Sequence, residues 1–570
     1  PSGNYSLSNR CPFLCHPERS RGICSSADLS WKCFSTERSR GICGAPFPVT
    51  TLYKTNHENL MTQARAIMVL GTSSHVGKSL LTTALCRIFA QRGYTVAPFK
   101  SQNMSLNSAA TIEGLEIGRA QALQAEAAGI APSVHMNPIL IKPSSDCSSQ
   151  VIVRGKIWGQ ISAVDYHQRR VEELLPIVRE SYQTLASNYQ VIVLEGAGSP
   201  AEINLKQHDI VNMRMAAMAD AQCLLVGDID RGGVFASLLG TVELLEPEER
   251  ERIRGFCINK FRGDLSLLEP GLRMMEQRLD KPCLGVVPYL PTLALEEEDS
   301  VGLPPVARSG WGPRQNTLDR ALRIAVIALP SFSNFTDFDS LRAEPSVDLL
   351  FCRSADFLRN ADIVILPGSK QTMSDLEWIL AQHFDRAVHL HAKTGLVVGI
   401  CGGMQMLGEE LVDPEGIERK GRMPGLRLLP IRTEMQADKV TRLCSGVIQS
   451  HSLFGQPVRE DAVAGYEIHI GKTLYEDHAE PFATLIGGEP DGCISTDRRV
   501  LGTYLHGIFD HDAFRHHFLA AARTFFHLAP PSAFNPWTRQ REESLDRLAC
   551  QVSTSLDMHR IFDWVGLKYA

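Results

Sequence analysis

The sequence predicts an α/β protein built from two doubly wound, mainly parallel-sheet domains. Three observations predict it. Short apolar runs alternate with helical stretches from residue 66 onward. The alternation stops at a stretch rich in proline, glycine and arginine, Gly302–Asn316, and then begins again. The 570 residues also exceed what one core serves, at roughly 150 residues per domain.

The elements follow in order. Ala66–Leu70 reads as a strand, Ser79–Arg92 as a helix and Thr95–Phe99 as a second strand. Gly114–Ala128 is alanine-rich and reads as helix. Gln190–Leu194, Gln222–Val226, Gly255–Asn259 and Gly285–Pro288 read as strands, with helices such as Tyr166–Leu185 between them. After the linker come strands Arg323–Leu329, Ile363–Leu366 and Leu396–Ile400. β-like segments follow around Gly465–Ile470 and Val500–Tyr504, then a helical tail from Asp512. The expected domains are 61–295 and 320–570, joined by a linker over 296–319.

Composition narrows the function class. Hydrophobic residues make up 44% and charged residues 21%, and the net charge is −6. A nucleic-acid binder normally carries a basic excess, so that class is disfavoured. No apolar run approaches the ~20 residues that cross a bilayer. Ten of the 15 cysteines lie scattered after residue 60 with no CxxC pair, as expected of reduced thiols in a cytoplasmic protein. The other five, Cys11, Cys15, Cys24, Cys33 and Cys43, fall in the first sixty residues. There Glu18-Arg-Ser-Arg-Gly-Ile-Cys24 recurs as Glu37-Arg-Ser-Arg-Gly-Ile-Cys43. The segment has no helical or strand period and no secretory core, and its spacings fit no common zinc site. It reads as a disordered leader or as an upstream stretch before a start at Met61.

Gly71-Thr72-Ser-Ser-His-Val-Gly77-Lys78-Ser79 lies between the first strand and the first helix. A loop in that position turns backbone N–H groups and the positive end of a helix dipole toward phosphates. Lys78 is placed to reach the β/γ oxygens of ATP, and the Ser79 hydroxyl to ligate Mg²⁺. One more residue separates the glycines than in the common phosphate loop. Glu195, at the end of the Gln190–Leu194 strand, is a second metal ligand by type. Lys100, ending the second strand, is positioned to steady developing phosphate charge. Asn259, ending another strand, is a candidate for hydrogen-bonding the base.

Leu396-Val-Val-Gly-Ile-Cys401-Gly-Gly-Met-Gln-Met-Leu-Gly408 reads as strand, sharp turn and helix. The glycines allow the strained elbow that lifts a nucleophile above a sheet, and the helix N-terminus favours the thiolate. Pro367-Gly368-Ser369 ends an earlier strand in a turn able to aim N–H donors at an oxyanion. His506, in Gly502-Thr-Tyr-Leu-His506-Gly-Ile-Phe-Asp510, supplies a base just after a strand. Cys401 and His506 together make an acyl-transfer site. Enzymes of this type often carry Glu two residues after the histidine, but Ile508 stands there. Asp510 and Glu467 both remain open as the third member.

The elbow with its downstream histidine resembles the triad-type glutamine amidotransferases. The first half resembles the dethiobiotin synthetase group of P-loop enzymes, whose loop carries the same extra residue. The two halves in this order resemble the cobyric acid synthases. Matching stretches include Pro98-Phe-Lys-Ser-Gln-Asn-Met-Ser-Leu-Asn-Ser108, Glu116-Ile-Gly-Arg-Ala-Gln121, Asn137-Pro-Ile-Leu-Ile-Lys-Pro143, Glu195-Gly-Ala-Gly-Ser-Pro-Ala-Glu-Ile-Asn-Leu205, Asp209-Ile-Val-Asn-Met213 and Gly465-Tyr-Glu-Ile-His-Ile-Gly471. The resemblance covers about residues 64–560. It implies a P-loop NTPase-like domain followed by a flavodoxin-like amidotransferase domain. It implies ATP and Mg²⁺ as cofactors, and glutamine and a corrinoid carboxylate as small-molecule partners, with no nucleic acid or membrane. The implied reaction places four amides on adenosylcobyrinic acid a,c-diamide, at the b, d, e and g side chains. Glu116 is implied as a second acidic metal ligand. A cobyrinic acid a,c-diamide synthase has the same chemistry on an earlier substrate, and Gln102-Asn-Met-Ser-Leu-Asn107 favours the later one. A MinD-like ATPase switch leaves the Cys401 and His506 half without a use.

Overall fold

The computed structural model describes residues 64–569, apart from 144–147, 163–164, 167–170, 291–292, 296–305, 308, 314–316 and 459–461. The expected leader and most of the expected linker lie outside the described residues. Met61–Ala570 forms one compact unit.

The first half holds β1 (Arg65–Gly71), β2 (Val96–Phe99), β3 (Gln102–Met104), β4 (Ser108–Ala110), β5 (Glu116–Gly118) and β6 (Ile139–Pro143). It continues with β7 (Ser148–Val153), β8 (Lys156–Ser162), β9 (Val191–Glu195), β10 (Gln222–Asp228), β11 (Ile253–Phe261) and β12 (Cys283–Pro288). Six of these form an all-parallel sheet in the order β12-β11-β10-β1-β9-β2. Its strands read as unbroken apolar runs because both faces are covered. Along β1, Met68 and Leu70 enter one core cluster while Ile67 and Val69 enter another, as the two-residue strand period dictates. Helix α1 (Lys78–Gln91) packs on the second of these faces and α3 (Val171–Ala186) on the first.

Residues 114–128 depart from the expected single helix. Gly114 takes φ +73 in a turn, and Glu116–Gly118 pairs antiparallel with Ser108–Ala110 before α2 (Arg119–Ala127) begins. The strand pairing outweighs the helical propensity of the flanking alanines.

The second half has β13 (Leu322–Ile327), β14 (Val347–Cys352), β15 (Ile363–Leu366) and β16 (Leu396–Ile400). These form a sheet in the order β14-β13-β15-β16-β24-β23. Here β23 (Cys493–Ile494) and β24 (Val500–Thr503) make the one antiparallel edge. A second, smaller sheet gathers β17 (Glu410–Asp413), β18 (Gly421–Pro424), β19 (Ile431–Ile448), β20 (Ala462–Tyr475), β21 (Ala483–Leu485) and β22 (Pro490–Asp491). Its long β19–β20 ribbon is antiparallel and carries Glu467 and His469.

The helical tail divides. Asp512–Phe525 packs on the second half, whereas α6 (Trp537–Ser555) and α7 (Met558–Trp564) return to the first. α4 (Gly402–Leu407) and α5 (Asp512–Phe525) stay with the second half, whereas the chain's last two helices close the core under α1. Phe562 lies 4.5 Å from Phe89, centroid to centroid. Truncating such a buried ring costs about 3–5 kcal/mol.

Candidate active site

β1 delivers its loop at the carboxyl edge of the first sheet, where parallel sheets bind ligands. Gly77 takes φ +96 at the start of α1. A Cβ there would sit 2.2 Å from Asn259 Nδ2, so the loop backbone needs glycine both for conformation and for space. Gly71 likewise has no room, with Val76 at 2.5 Å from its would-be Cβ. Thr72 N donates to the Val226 carbonyl at 3.0 Å and pins the start of the loop to β10. Lys78 Nζ donates to the Ser73 and Gly198 carbonyls at 2.8 and 3.1 Å, which curls the loop around its own ammonium.

Four predicted residues converge on one carboxylate or its neighbours. Ser79 Oγ donates to Glu195 Oε1 at 2.8 Å, and Lys100 Nζ reaches the same oxygen at 2.9 Å. Gln124 Nε2, from α2, donates to Glu195 Oε2 at 2.6 Å. Lys78, Ser79, Lys100 and Glu195 line a cleft of about 410 Å³ with Asn103, Leu123 and Lys260. A serine hydroxyl beside a carboxylate at a helix N-terminus fits Mg²⁺, which takes few protein ligands and completes its shell with phosphate and water oxygens. Among the described residues no group of three or more acidic, histidine or cysteine side chains clusters as a metal cage.

Two sequence-predicted residues are placed differently. Asn259 directs its amide into the loop, with Nδ2 donating to the Val76 carbonyl at 2.8 Å, so it braces the loop. Lys260 beside it donates to the His75 carbonyl at 2.5 Å and pairs with Asp228. Glu116 does not join Ser79 and Glu195. It is buried between Lys142, at 2.5 Å, and Lys439, one lysine from each half. The two ammonium groups hold its carboxyl well below the usual range against the cost of burial. Two cations at its oxygens leave no place for a third.

The second site stands at the carboxyl edge of the second sheet. Cys401 follows β16 with φ 52 and ψ −112, an elbow that non-glycine residues seldom adopt. Packing enforces it: a Cβ on Gly403 would meet the Leu366 carbonyl at 1.9 Å, and one on Gly402 would meet Ser369 N at 3.0 Å. The Pro367-Gly368-Ser369 turn therefore presses against the elbow. Asp375 fixes it by accepting from Ser369 Oγ at 2.6 Å and from Ser331 N at 3.1 Å.

His506 lies within hydrogen-bonding reach of the Cys401 thiol. Its other ring nitrogen, Nδ1, meets Asp337 Oδ2 at 2.7 Å, and Asp337 Oδ1 accepts from Gly507 N at 2.9 Å. Burial alone would lower the imidazole, but Asp337 and Cys401 outweigh it and push His506 up to about 10. The carboxylate at the histidine is therefore Asp337. Glu467 pairs with Arg442 at 2.5 Å, and Asp510 faces Arg119 at 3.9 Å. Asp337 sits in a short turn beyond β13, 169 residues before the histidine. The available signal was an acid just past the carboxyl end of a parallel strand, in Ser331-Phe-Ser-Asn-Phe-Thr-Asp337. Another histidine, His469, lines the cysteine pocket, but burial holds it down to about 3 and so keeps it neutral.

The two sites share a seam. Ser108 N donates to Asn334 Oδ1 at 3.0 Å, and Phe335 N donates to Asn107 Oδ1 at 3.3 Å. The loop that carries Asp337 is thus fastened to the first half. The cysteine pocket, about 40 Å³, is lined by Lys142 and Gln150 from the first half and by Ser333, Lys370, Gln405, Glu418 and Lys439 from the second.

Two family models match successive stretches of the chain. Residues 67–301 match the CobQ/CobB/MinD/ParA nucleotide binding domain family, and residues 323–514 match the CobB/CobQ-like glutamine amidotransferase domain family. The cobyric acid synthase of Moorella thermoacetica is 49% identical over 513 residues, covering 89% of this chain and 98% of that protein. Those of Thermoanaerobacter sp. and Syntrophobacter fumaroxidans are each 47% identical, covering 88% and 89% of this chain and 98% and 99% of their own. Similarity of this degree over nearly the whole of each relative places the chain in the cobyric acid synthase family.

Proposed function

We propose that this chain uses ATP and glutamine to amidate the b, d, e and g carboxylates of adenosylcobyrinic acid a,c-diamide. The observation that carries the reading is the pairing, in one compact unit, of a phosphate loop closed on Glu195 with a Cys401–His506–Asp337 constellation. A carboxylate is a poor electrophile until its oxygen is phosphorylated. Ammonia is a poor nucleophile once protonated. One site answers each difficulty.

In the first site, the loop amides and Lys78 hold the ATP phosphates while Lys100 faces the oxygen that attacks the γ-phosphorus. Ser79 and Glu195 would hold Mg²⁺, which would supply charge neutralisation at the phosphates. The product is an acyl phosphate, from which ammonia displaces phosphate. In the second site, the Cys401 thiolate attacks the glutamine amide carbon, and His506 protonates the departing ammonia. A γ-glutamyl thioester forms, and His506 then takes a proton from the water that hydrolyses it. Asp337 keeps Nδ1 protonated and the ring aimed at sulfur. Lys370 and Glu418 at the pocket offer opposite charges to the zwitterionic end of glutamine.

The nine described cysteines are unpaired thiols, which supports work in a reducing cytoplasm. No described helix is long and apolar enough to cross a membrane. Mass spectrometry of products from the purified enzyme with ATP, glutamine and the adenosylated diamide tests the substrate. Four successive exchanges of hydroxyl for amino are expected. Turnover of cobyrinic acid itself, with the a,c-diamide left untouched, assigns the chain to the earlier step instead.

A further inference from the structure

A second hollow adjoins the nucleotide cleft and is used by neither half-reaction. Leu123 on α2 lines both. On one side of α2, Ala120 and Leu123 face the cleft. On the other, Arg119, Ala122 and Glu126 face the hollow, whose volume is about 440 Å³. Both halves of the chain wall it. Ala110 of β4 and Ile112 come from the first half, Leu443 of β19 and Tyr466 of β20 from the second, and Trp537 opens α6. Ile112 is 70% exposed and Leu443 53%, so large apolar side chains stand uncovered around it.

The charges lining the hollow are matched. Arg541 Nη2 donates to Glu126 Oε2 at 2.5 Å, and Arg119 Nη2 stands 3.9 Å from Asp510 Oδ2. Arg119 also lies 5.7 Å over the Tyr466 ring. The cleft beyond Leu123 is different, with Lys78, Lys100 and Lys260 set against Glu195. A carboxylate is therefore drawn to the cleft. In the hollow it would meet Glu126 and Asp510, whereas a carboxamide accepts from the arginines and donates to the acids. One wall group has a further need. Trp537 is 2% exposed, and its indole Nε1, which can only donate, has no hydrogen-bond partner. Buried donors are nearly always paired, and a ligand carbonyl supplies the acceptor this one lacks.

Resting on the substrate reading above, we propose that this hollow is a corrinoid subsite, taking an amide-bearing edge of the macrocycle while an acid arm crosses Leu123 to Lys100. The volume suits one edge with its arms and not the whole ring. The apolar wall covers the macrocycle, Trp537 and the arginines hold amide carbonyls, and Glu126 and Asp510 turn away an edge that still carries acids. The hollow thus selects a corrinoid that has already received amides, and the cleft selects the arm that has not.

Equilibrium dialysis of the coloured corrinoids against purified enzyme, with ATP and glutamine absent, tests the subsite apart from catalysis. Ala122→Phe fills the hollow from the outer side of α2. It is expected to weaken binding of adenosylcobyrinic acid a,c-diamide by roughly tenfold or more, because a filled pocket leaves the edge no room. Trp537→Phe keeps the bulk and removes the donor, for a loss of roughly fivefold. Glu126→Gln removes one repelling acid and releases Arg541, so the preference for the a,c-diamide over cobyrinic acid should fall by about tenfold. Glutamine hydrolysis, read alongside, shows that each variant is folded. Wild-type affinity for the diamide in both Ala122→Phe and Trp537→Phe overturns the proposal. So does a raised KM for ATP in these variants with diamide binding intact, since the hollow then serves the nucleotide. Failure of the substrate reading looks different: wild-type enzyme itself then holds cobyrinic acid in preference to the a,c-diamide, and the selection proposed here falls with it.

Discussion

The phosphate loop and the cysteine elbow are the same construction used for opposite ends. Each is a strand, a tight turn with a left-handed residue, and a helix N-terminus. In the loop the left-handed residue is Gly77, at φ +96; in the elbow it is Cys401, at φ 52. Phosphate is bound by backbone, so the strained position needs no side chain and glycine takes it without penalty. Acyl transfer needs the thiol itself at the apex. The elbow therefore carries a strain of about 1–3 kcal/mol, which the contacts of Gly402 and Gly403 with the neighbouring turn hold in place. The loop's partners, Lys100 and Glu195, end strands of its own sheet. The elbow's base and acid come from two distant turns, one of them fastened to the other half.

The largest effects break the comparison site by site. Cys401→Ser is expected to lose glutamine-dependent synthesis by on the order of 10³ or more, because a serine hydroxyl ionises far less readily than a thiol. The same variant, given ammonium salt at mildly alkaline pH, should still hydrolyse ATP and form amide. Lys78→Ala should lose synthesis with either nitrogen source by roughly 10³ or more, since phosphate charge goes uncompensated, while basal glutamine hydrolysis survives. Steady-state rates with each nitrogen source check the pattern. A Cys401→Ser enzyme that is folded yet equally dead with ammonium removes the division of labour.

Next in size is Asp337. Asp337→Asn preserves shape but leaves His506 without the acceptor that sets its tautomer. Glutaminase turnover should fall by about 10²–10⁴, as loss of the orienting carboxylate does in other triads. Asp510→Asn and Glu467→Gln should each stay within about tenfold, since these acids serve Arg119 and Arg442. A glutaminase assay in which Asp510→Asn is the worse variant reverses the assignment.

This contrast also explains what was legible in the sequence. Gly71–Ser79 and Cys401–Gly408 could be placed as strand, turn and helix because each is one contiguous run bounded by strand and helix. The parallel strands could be read because burial on both faces makes them unbroken apolar runs. Asp337 was hidden because its partner lies 169 residues away and only the β13–β15–β16–β24 order brings the two together. Glu116 misled for the same reason. Its charge is evident in the sequence, but Lys439, which claims it, belongs to the other half. Nor did the tail's helical pattern announce which sheet it covers. Phe562 and Leu548 meet α1 only because the chain crosses back.

Asn259 sharpens the comparison more gently. Its amide braces the loop from outside, a role the elbow gives to backbone contacts. Asn259→Ala should raise the KM for ATP by roughly tenfold through loop misplacement, with glutamine hydrolysis unchanged. An unaltered KM shows that the loop holds its shape through Lys78 and Lys260 alone.

The smallest expected effect concerns stability, and its sign distinguishes the two sites. His506 is raised from 6.5 to about 10 in the folded protein, burial working against the rise and Asp337 and Cys401 for it. A raised folded-state pKa means that folding favours the protonated ring. The contribution is full below the unfolded pKa of about 6.5 and is lost as pH rises through about 10. The dependence belongs to the elbow, where Asp337 and Cys401 face the ring. Asp337→Asn removes the main source of the rise. Its Tm should lie below wild type at pH 6, by a shift that is small for a chain of 570 residues. The gap should close as the pH is carried toward 10, because wild type then loses what the variant never had. Differential scanning calorimetry of both proteins across that range reads the gap directly. A gap that widens with pH means the histidine is neutral in the folded enzyme and that Asp337 stabilises the turn only through Gly507.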